Sequence, residues 1–351
     1  MEKKKNKRLR IFDFTRDGKG ISKKKADLGF GFKKFFVLLK ENFNKLVTVN
    51  IIFVLGNFPI FFLIAALSGL TKNEMFVPLS DTYQNMNGMV HAGAEMSPYM
   101  MTIYAIDGLP TNQLVDTVWT YVLYGAGSLT LFTFGPINAA TAYVLRNIVS
   151  GEPVFVWSDF KYAFKRNYRQ ALIFGILDAL IIALLALDIY WMFSLGGFLT
   201  SMFFWTSVVI MVLYFFMRYY MYVQMVTFDL TIFKMFKNAL IFSLVGMKRN
   251  ILALLGMVVC IALEILFIFG LGSLLLPIAV AAPLAILFSL FAYMKVYAAY
   301  YKIKELMIDP YYEAHPEERP VVYTDDDDII MHDDVTELER LEEIKKKNGI
   351  E

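Results

Sequence analysis

The chain has 351 residues, 57% of them hydrophobic and 16% aromatic, with a mean hydropathy of +0.51. A soluble domain of this length has no need of apolar runs that could cross a bilayer, and about 20 mostly apolar residues suffice for that. The single cysteine, Cys260, excludes an intrachain disulfide, and the net charge of +2 conceals a strong contrast between the two ends.

Residues 1–45 carry fifteen Lys and Arg against five acids, a charge of +10. Near their end Phe30, Phe32, Phe35, Phe36, Leu38 and Leu39 interleave with Lys33, Lys34 and Lys40. That pattern predicts an interfacial helix lying on anionic lipid. The polar leader is too long for a cleavable signal peptide, so the first apolar run, at 46–70, reads as a retained span. A basic arm can also bind nucleic acid, but no binding fold accompanies it and no nucleic-acid partner is expected.

The stretch 71–116 holds one cation, Lys72, and is rich in Met86, Met89, Met96, Met100 and Met101 beside His91. Thioethers and imidazole suit Cu(I), but methionine also fills irregular apolar gaps, and with 19 methionines in the chain an apolar cap is the reading preferred. No metal is expected. Five further apolar runs follow at 117–145, 170–194, 198–224, 250–271 and 275–300, none with the two-residue alternation of a barrel strand. The six runs predict an all-α membrane protein with six transmembrane helices.

Basic residues in short flanking segments stay on the cytoplasmic side. They collect in the leader, around Arg146 to Arg169, around Lys234 to Arg249, and at Lys295, Lys302 and Lys304, whereas the turns at 188–198 and 270–275 have none. Both termini are therefore expected to be cytoplasmic, in a multi-pass protein of the cell membrane. The collar repeats itself. LLKENFNKL (38–46), AFKRNYRQAL (163–172) and GMKRNILALL (246–255) superimpose a Lys–x–Asn triplet on Lys40, Lys165 with Arg166, and Lys248 with Arg249. The even runs end alike in AYVLR, YFFMR and AYMK, which predicts three tandem helical hairpins, the first carrying the 71–116 insertion.

The stretches TVNIIFVLGNFPIFF (48–62), FGPINAATAYVLRNIVSGEPVFVWSDFKYAFKRNYRQAL (134–172) and FDLTIFKMFKNALIFSLVGMKRNILALL (228–255) resemble the YesL-like family. These are bacterial integral membrane proteins, chiefly of Gram-positive organisms, grouped under a domain of unknown function. The resemblance covers about 33–305 without the outer loop. It implies no defined biochemistry. The genes of the family often neighbour those for carbohydrate uptake and polysaccharide degradation, which implies membrane transport subunits as partners.

Pro59, Pro136, Pro277 and Pro283 interrupt apolar helices, and such breaks serve packing or line cavities. Asn138 and Thr141 follow Pro136 among small residues that let helices approach closely. Asp178 lies nine residues beyond Arg169 and Glu264 fifteen beyond Arg249, depths of roughly 13 and 22 Å at 1.5 Å per residue. With no cation at matching depth, each carboxyl is either held between helices, which is the preferred reading, or couples a proton or cation to a polar path. Asn138, Thr141, Asp178 and Glu264 are the candidate polar path.

After the last span the tail 305–351 carries sixteen acids against five bases, a charge of −11, and includes the DDDD run at 325–328. That run lacks the spacing of a Ca²⁺ loop, and DVTELERLEEIKKK (334–347) predicts a short amphipathic helix. His91, His315 and His332 all fall outside the runs, and no hydrolase, metalloprotease or phosphate-loop motif is present. The sequence thus predicts a basic leader (1–45), a six-span domain (46–304) with an extracellular insertion (71–116), and an acidic cytoplasmic tail (305–351). No catalytic residue and no cofactor are expected. The partners expected are a bilayer with an anionic inner leaflet and membrane transport subunits. The expected role is an accessory or regulatory partner of a carbohydrate-uptake system, with a secondary transporter as the alternative.

Overall fold

The structure is a computed structural model that describes residues 30–78, 97–107, 110–270 and 275–318. The leader before Phe30, the residues Met86, Met89, His91 and Met96, the DDDD run and the expected helix at 334–347 lie outside the described residues. The chain forms two compact units. One comprises Met1–Asn50, Ala139–Arg166 and Trp205–Glu351, and the other Ile51–Asn138 and Asn167–Phe204.

Helix α1 (Phe32–Glu41) is the amphipathic helix expected of the leader, with Leu38 buried and Phe32 and Phe36 exposed. Helices α2 (Phe43–Gly56) and α3 (Pro59–Leu67) together make the first apolar run and meet at a bend of 63°. Proline at the first position of α3 explains the break, because it has no N–H to continue the ladder of α2 but suits a helix start.

The 71–116 segment contains a ribbon that the sequence reading did not foresee. Strands β1 (Lys72–Pro78) and β2 (Pro110–Asp116) pair antiparallel from Lys72 opposite Asp116 to Pro78 opposite Pro110. The Lys72 ammonium lies 3.0 Å from Asp116 Oδ1, and this hydrogen bond holds the lysine pKa above its ordinary value. Helix α4 (Pro98–Asp107) lies between the strands in sequence.

The second apolar run, expected as one span, is two helices, α5 (Val118–Ser128) and α6 (Thr130–Ser150). Thr117 caps α5 reciprocally with Thr120. Gly127 lets α5 lie against α3, since a Cβ there would come within 2.8 Å of the Leu63 backbone. Helix α7 (Val156–Leu195) is one continuous element of 40 residues, so the AFKRNYRQAL collar is a helical extension and not a loop. Asp159 secures its start by accepting from the Phe155 N–H at 2.9 Å. Gly196 and Gly197, both at positive φ, make the turn into α8 (Phe198–Thr227).

The remaining helices are α9 (Ile232–Val245), α10 (Met247–Ile265, extended by a π turn at Leu266–Gly270), α11 (Leu276–Ala282), α12 (Phe288–Ile303) and α13 (Asp309–Ala314). Further π turns at Pro283–Leu287 and Lys304–Ile308 join the last three. Among the described residues four helical stretches are long and apolar enough to cross a membrane: Val156–Leu195, Phe198–Thr227, Met247–Gly270 and Leu276–Ala314. A fifth is added if α2 and α3 form one bent span. The early part of α8 exposes Phe198, Leu199, Met202, Phe203, Trp205 and Val209, an apolar surface that suits lipid. Its later part is different: all eight residues from Tyr219 to Val226 are buried, so that turn of α8 is the centre of its unit.

Candidate functional site

The densest cluster of chemistry-bearing side chains lies where α10 begins and α12 ends. Tyr293, Tyr297 and Tyr301 recur every four residues on α12 and therefore share one face. The residues just before and within α1 pack on them. Phe30 stacks on Tyr297 at 5.3 Å and meets Tyr301 edge-on at 5.6 Å, while Phe35 lies 4.9 Å from Tyr293. Two hydroxyls tie the backbone down: Tyr297 donates to the Gly31 carbonyl at 2.9 Å, and Tyr293 to the Phe35 carbonyl at 3.0 Å.

Cations ring this aromatic stack. The Arg249 guanidinium lies 4.4 Å from the centre of the Phe30 ring and donates to Glu305 at 2.8 Å, and Lys302 donates to the same carboxylate at 3.0 Å. Lys34 Nζ sits 5.2 Å from the centre of Tyr301. Burial, and after it the nearby Lys304 charge, hold the Lys34 pKa below its ordinary value.

The next residue along α10 anchors Arg249. Asn250 is fully buried, accepts from the Tyr220 hydroxyl at 2.8 Å and donates to the Ser243 carbonyl at 3.0 Å. Gly246 permits this, since a Cβ there would approach the Tyr220 oxygen closely. The Lys–x–Asn triplet thus has a physical basis: Lys165 and Lys248 are exposed, whereas Asn167 and Asn250 are buried. In the first copy Lys40 is also exposed, and Asn42 is half-buried and donates locally to Leu38 at 3.1 Å. Arg166 is exposed and reaches the Tyr162 hydroxyl at 3.3 Å.

A second buried amide closes the break at Pro283. Asn50, with no exposed surface, donates to the carbonyls of Pro283 at 2.9 Å and Leu284 at 2.8 Å. Its oxygen accepts from the Ser289 N–H at 2.8 Å. The sequence reading passed over Asn50, although an amide in an apolar run, followed by six residues without a polar side chain, was a usable signal.

The four candidate path residues are distributed over both units. Asn138 is half-buried and donates to Phe134, one turn back in its own helix, at 2.7 Å. Asp178 is fully buried and engaged by neighbouring groups. Both belong to the unit in which Gly135 of α6 meets Ala171 and Gly175 of α7. From that crossing Asn138 lies toward the α6–α7 turn and Asp178 away from it. With about 1.5 Å per residue along each helix, the two are therefore not drawn together. In the other unit Thr141 is buried and Glu264 half-buried. Among the described residues no group of three metal-ligating side chains occurs.

Residues 114–189 match the model of a family described as "Protein of unknown function, DUF624". The matched stretch takes in α5, α6 and most of α7, including Pro136, the Gly135 crossing, the Lys165 collar and Asp178. No curated protein and no solved structure matches the chain.

Proposed function

We propose that this is a YesL-like protein of the bacterial cell membrane that acts as an accessory or regulatory partner of a carbohydrate-uptake system and not as an enzyme. The reading has six spans, with α5 and α6 acting as one bent span, three tandem hairpins, and both termini in the cytoplasm. The observation that carries it is the use of the buried polar groups. At Pro283 the carbonyls that a broken helix could offer a passing ion are taken by Asn50, and Asn138 and Asn250 are likewise spent on backbone carbonyls. Polar groups already committed to backbone carbonyls, between helices at Asn50 and Asn250 and within one helix at Asn138, favour a scaffold over a conduit.

A secondary transporter is the second reading. The fully buried Gln224 amide and Thr141 hydroxyl favour it, since neither has a hydrogen-bond partner among the described residues. Purification from native membranes in mild detergent, with vesicle reconstitution in parallel, separates the two. The accessory role is expected to give stoichiometric recovery of sugar-importer membrane subunits and no solute uptake by the protein alone. Uptake by vesicles containing only this chain, abolished by Gln224→Leu, establishes the transporter instead.

A further inference from the structure

The cationic cluster at the α10–α12 end has a charge imbalance that packing alone leaves unanswered. Arg249 and Lys302 share Glu305, Lys34 lies over the Tyr301 ring that meets Phe30 beneath Arg249, and Lys304 is near enough to Lys34 to depress its pKa. Among the described residues the acid that contacts these cations is Glu305. Helix α10 makes the imbalance worse. It opens with Lys248 and Arg249 and has no acid in its first turn, although the helix dipole favours negative charge there. One Arg249 nitrogen, Nη1, is shielded from solvent and has no hydrogen-bond partner among the described residues. A guanidinium with one edge on a carboxylate and a second donor unmatched suits a further oxyanion.

We propose that Lys34, Arg249 and Lys304 form a binding site for a phosphate group, and that its occupant is the head group of an anionic phospholipid. The phosphate would lie among the three cations, against the accessible part of the Arg249 guanidinium, with Phe30 and Tyr301 as the aromatic wall. The surroundings favour a lipid over a soluble phosphate. Helix α1, which supplies Lys34, turns Phe32 and Phe36 outward at 63% and 60% exposure, which gives an acyl chain an apolar surface beside the charge. The apolar stretch of α10 begins within a turn of Arg249, so the cluster lies at the polar edge of a membrane-crossing helix. The site does not depend on which protein partner the chain has, nor on which side of the membrane this end occupies.

The test uses the full chain in mild detergent, with bound lipid read by native mass spectrometry and by the rise in melting temperature. Short-chain phosphatidylglycerol, phosphatidylcholine of equal chain length and inorganic phosphate are titrated separately. Phosphatidylglycerol is expected to bind about tenfold or more tightly than phosphatidylcholine, since each basic group near a phosphate contributes appreciably. Lys34→Gln with Lys304→Gln should weaken phosphatidylglycerol binding by about tenfold and leave the lipid-free melting temperature unchanged. Glu305→Gln removes the competing carboxylate and should tighten binding, a gain that general destabilisation cannot mimic. Equal retention of both lipids, or an unchanged affinity in the double variant, overturns the proposal. Displacement of phosphatidylglycerol by millimolar inorganic phosphate overturns the lipid as occupant.

Discussion

Two prolines lie inside apolar helical stretches, and the chain accommodates them by opposite means. At Pro283 the solution is polar. The helix widens into a π turn there, and the Asn50 amide, more than 230 residues away in sequence, donates to the Pro283 and Leu284 carbonyls and accepts from the Ser289 N–H. At Pro136 the solution is steric. Gly135 brings α6 so near α7 that a Cβ would collide with the Ala171 carbonyl, and Gly175 gives the space from the other side. The lesson is that a proline creates an obligation, and the surface facing it decides whether hydrogen bonds or close backbone contact meet it.

The contrast predicts different penalties. Asn50→Leu removes three buried hydrogen bonds, two to carbonyls and one from the Ser289 N–H, at about 0.5–1.5 kcal/mol each and more where a group is left unmatched, so a loss of several kcal/mol is expected in a detergent-unfolding titration. Asn50→Asp should be nearly as harmful, because it sets an acceptor against two acceptors. If both variants unfold like the wild type, the clamp does not carry the break. Gly135→Ala is an overpacking change and should cost about 1–3 kcal/mol in the same titration. Gly175→Ala should act alike, and the double variant should be less than additive if both report one crossing. Asn138→Leu removes a bond within its own helix, so about 0.5–1.5 kcal/mol is expected, and a loss as large as that of Asn50→Leu would erase the distinction between the two proline sites.

The smallest effect lies at the base of the ribbon. Lys72 has its pKa raised by Asp116, so its stabilising contribution is fully present below the ordinary lysine value of about 10.4 and is lost as pH rises through the raised value. Amide exchange of the ribbon should accelerate in that alkaline window, and Lys72→Met should remove the step.

Much of the architecture was legible because the signal was apolar length. The runs at 170–194, 198–224, 250–271 and 275–300 each fall, to within one residue, inside one of the four long apolar helical stretches found among the described residues. Length alone hid the divisions. Pro59 starts a new helix after a 63° bend, and the run at 117–145 splits at Leu129, where Gly127 is held against Leu63. The ribbon was missed because KNEMFVP and PTNQLVD are short and too mixed to mark a strand, and only their pairing reveals one. At the candidate site, Arg249 and Lys248 were read for topology alone. The tyrosines at 293, 297 and 301 were in plain view at four-residue spacing, but that Phe30 and Phe35 would dock there is a long-range fact.

The Asn50 clamp also sets a schedule for biogenesis. Its first partner, the Pro283 carbonyl, is made 233 residues later, which at about 5–20 residues per second is roughly 12 to 47 s of synthesis. Throughout that interval the first apolar helix carries an unmatched amide, a mark of incompleteness that membrane quality control can recognise. The unit to which it belongs is assembled from three separate stretches of chain and can close only when the last has arrived. A chain that stops short of Ser289 should therefore remain open and be degraded, however well its earlier helices insert.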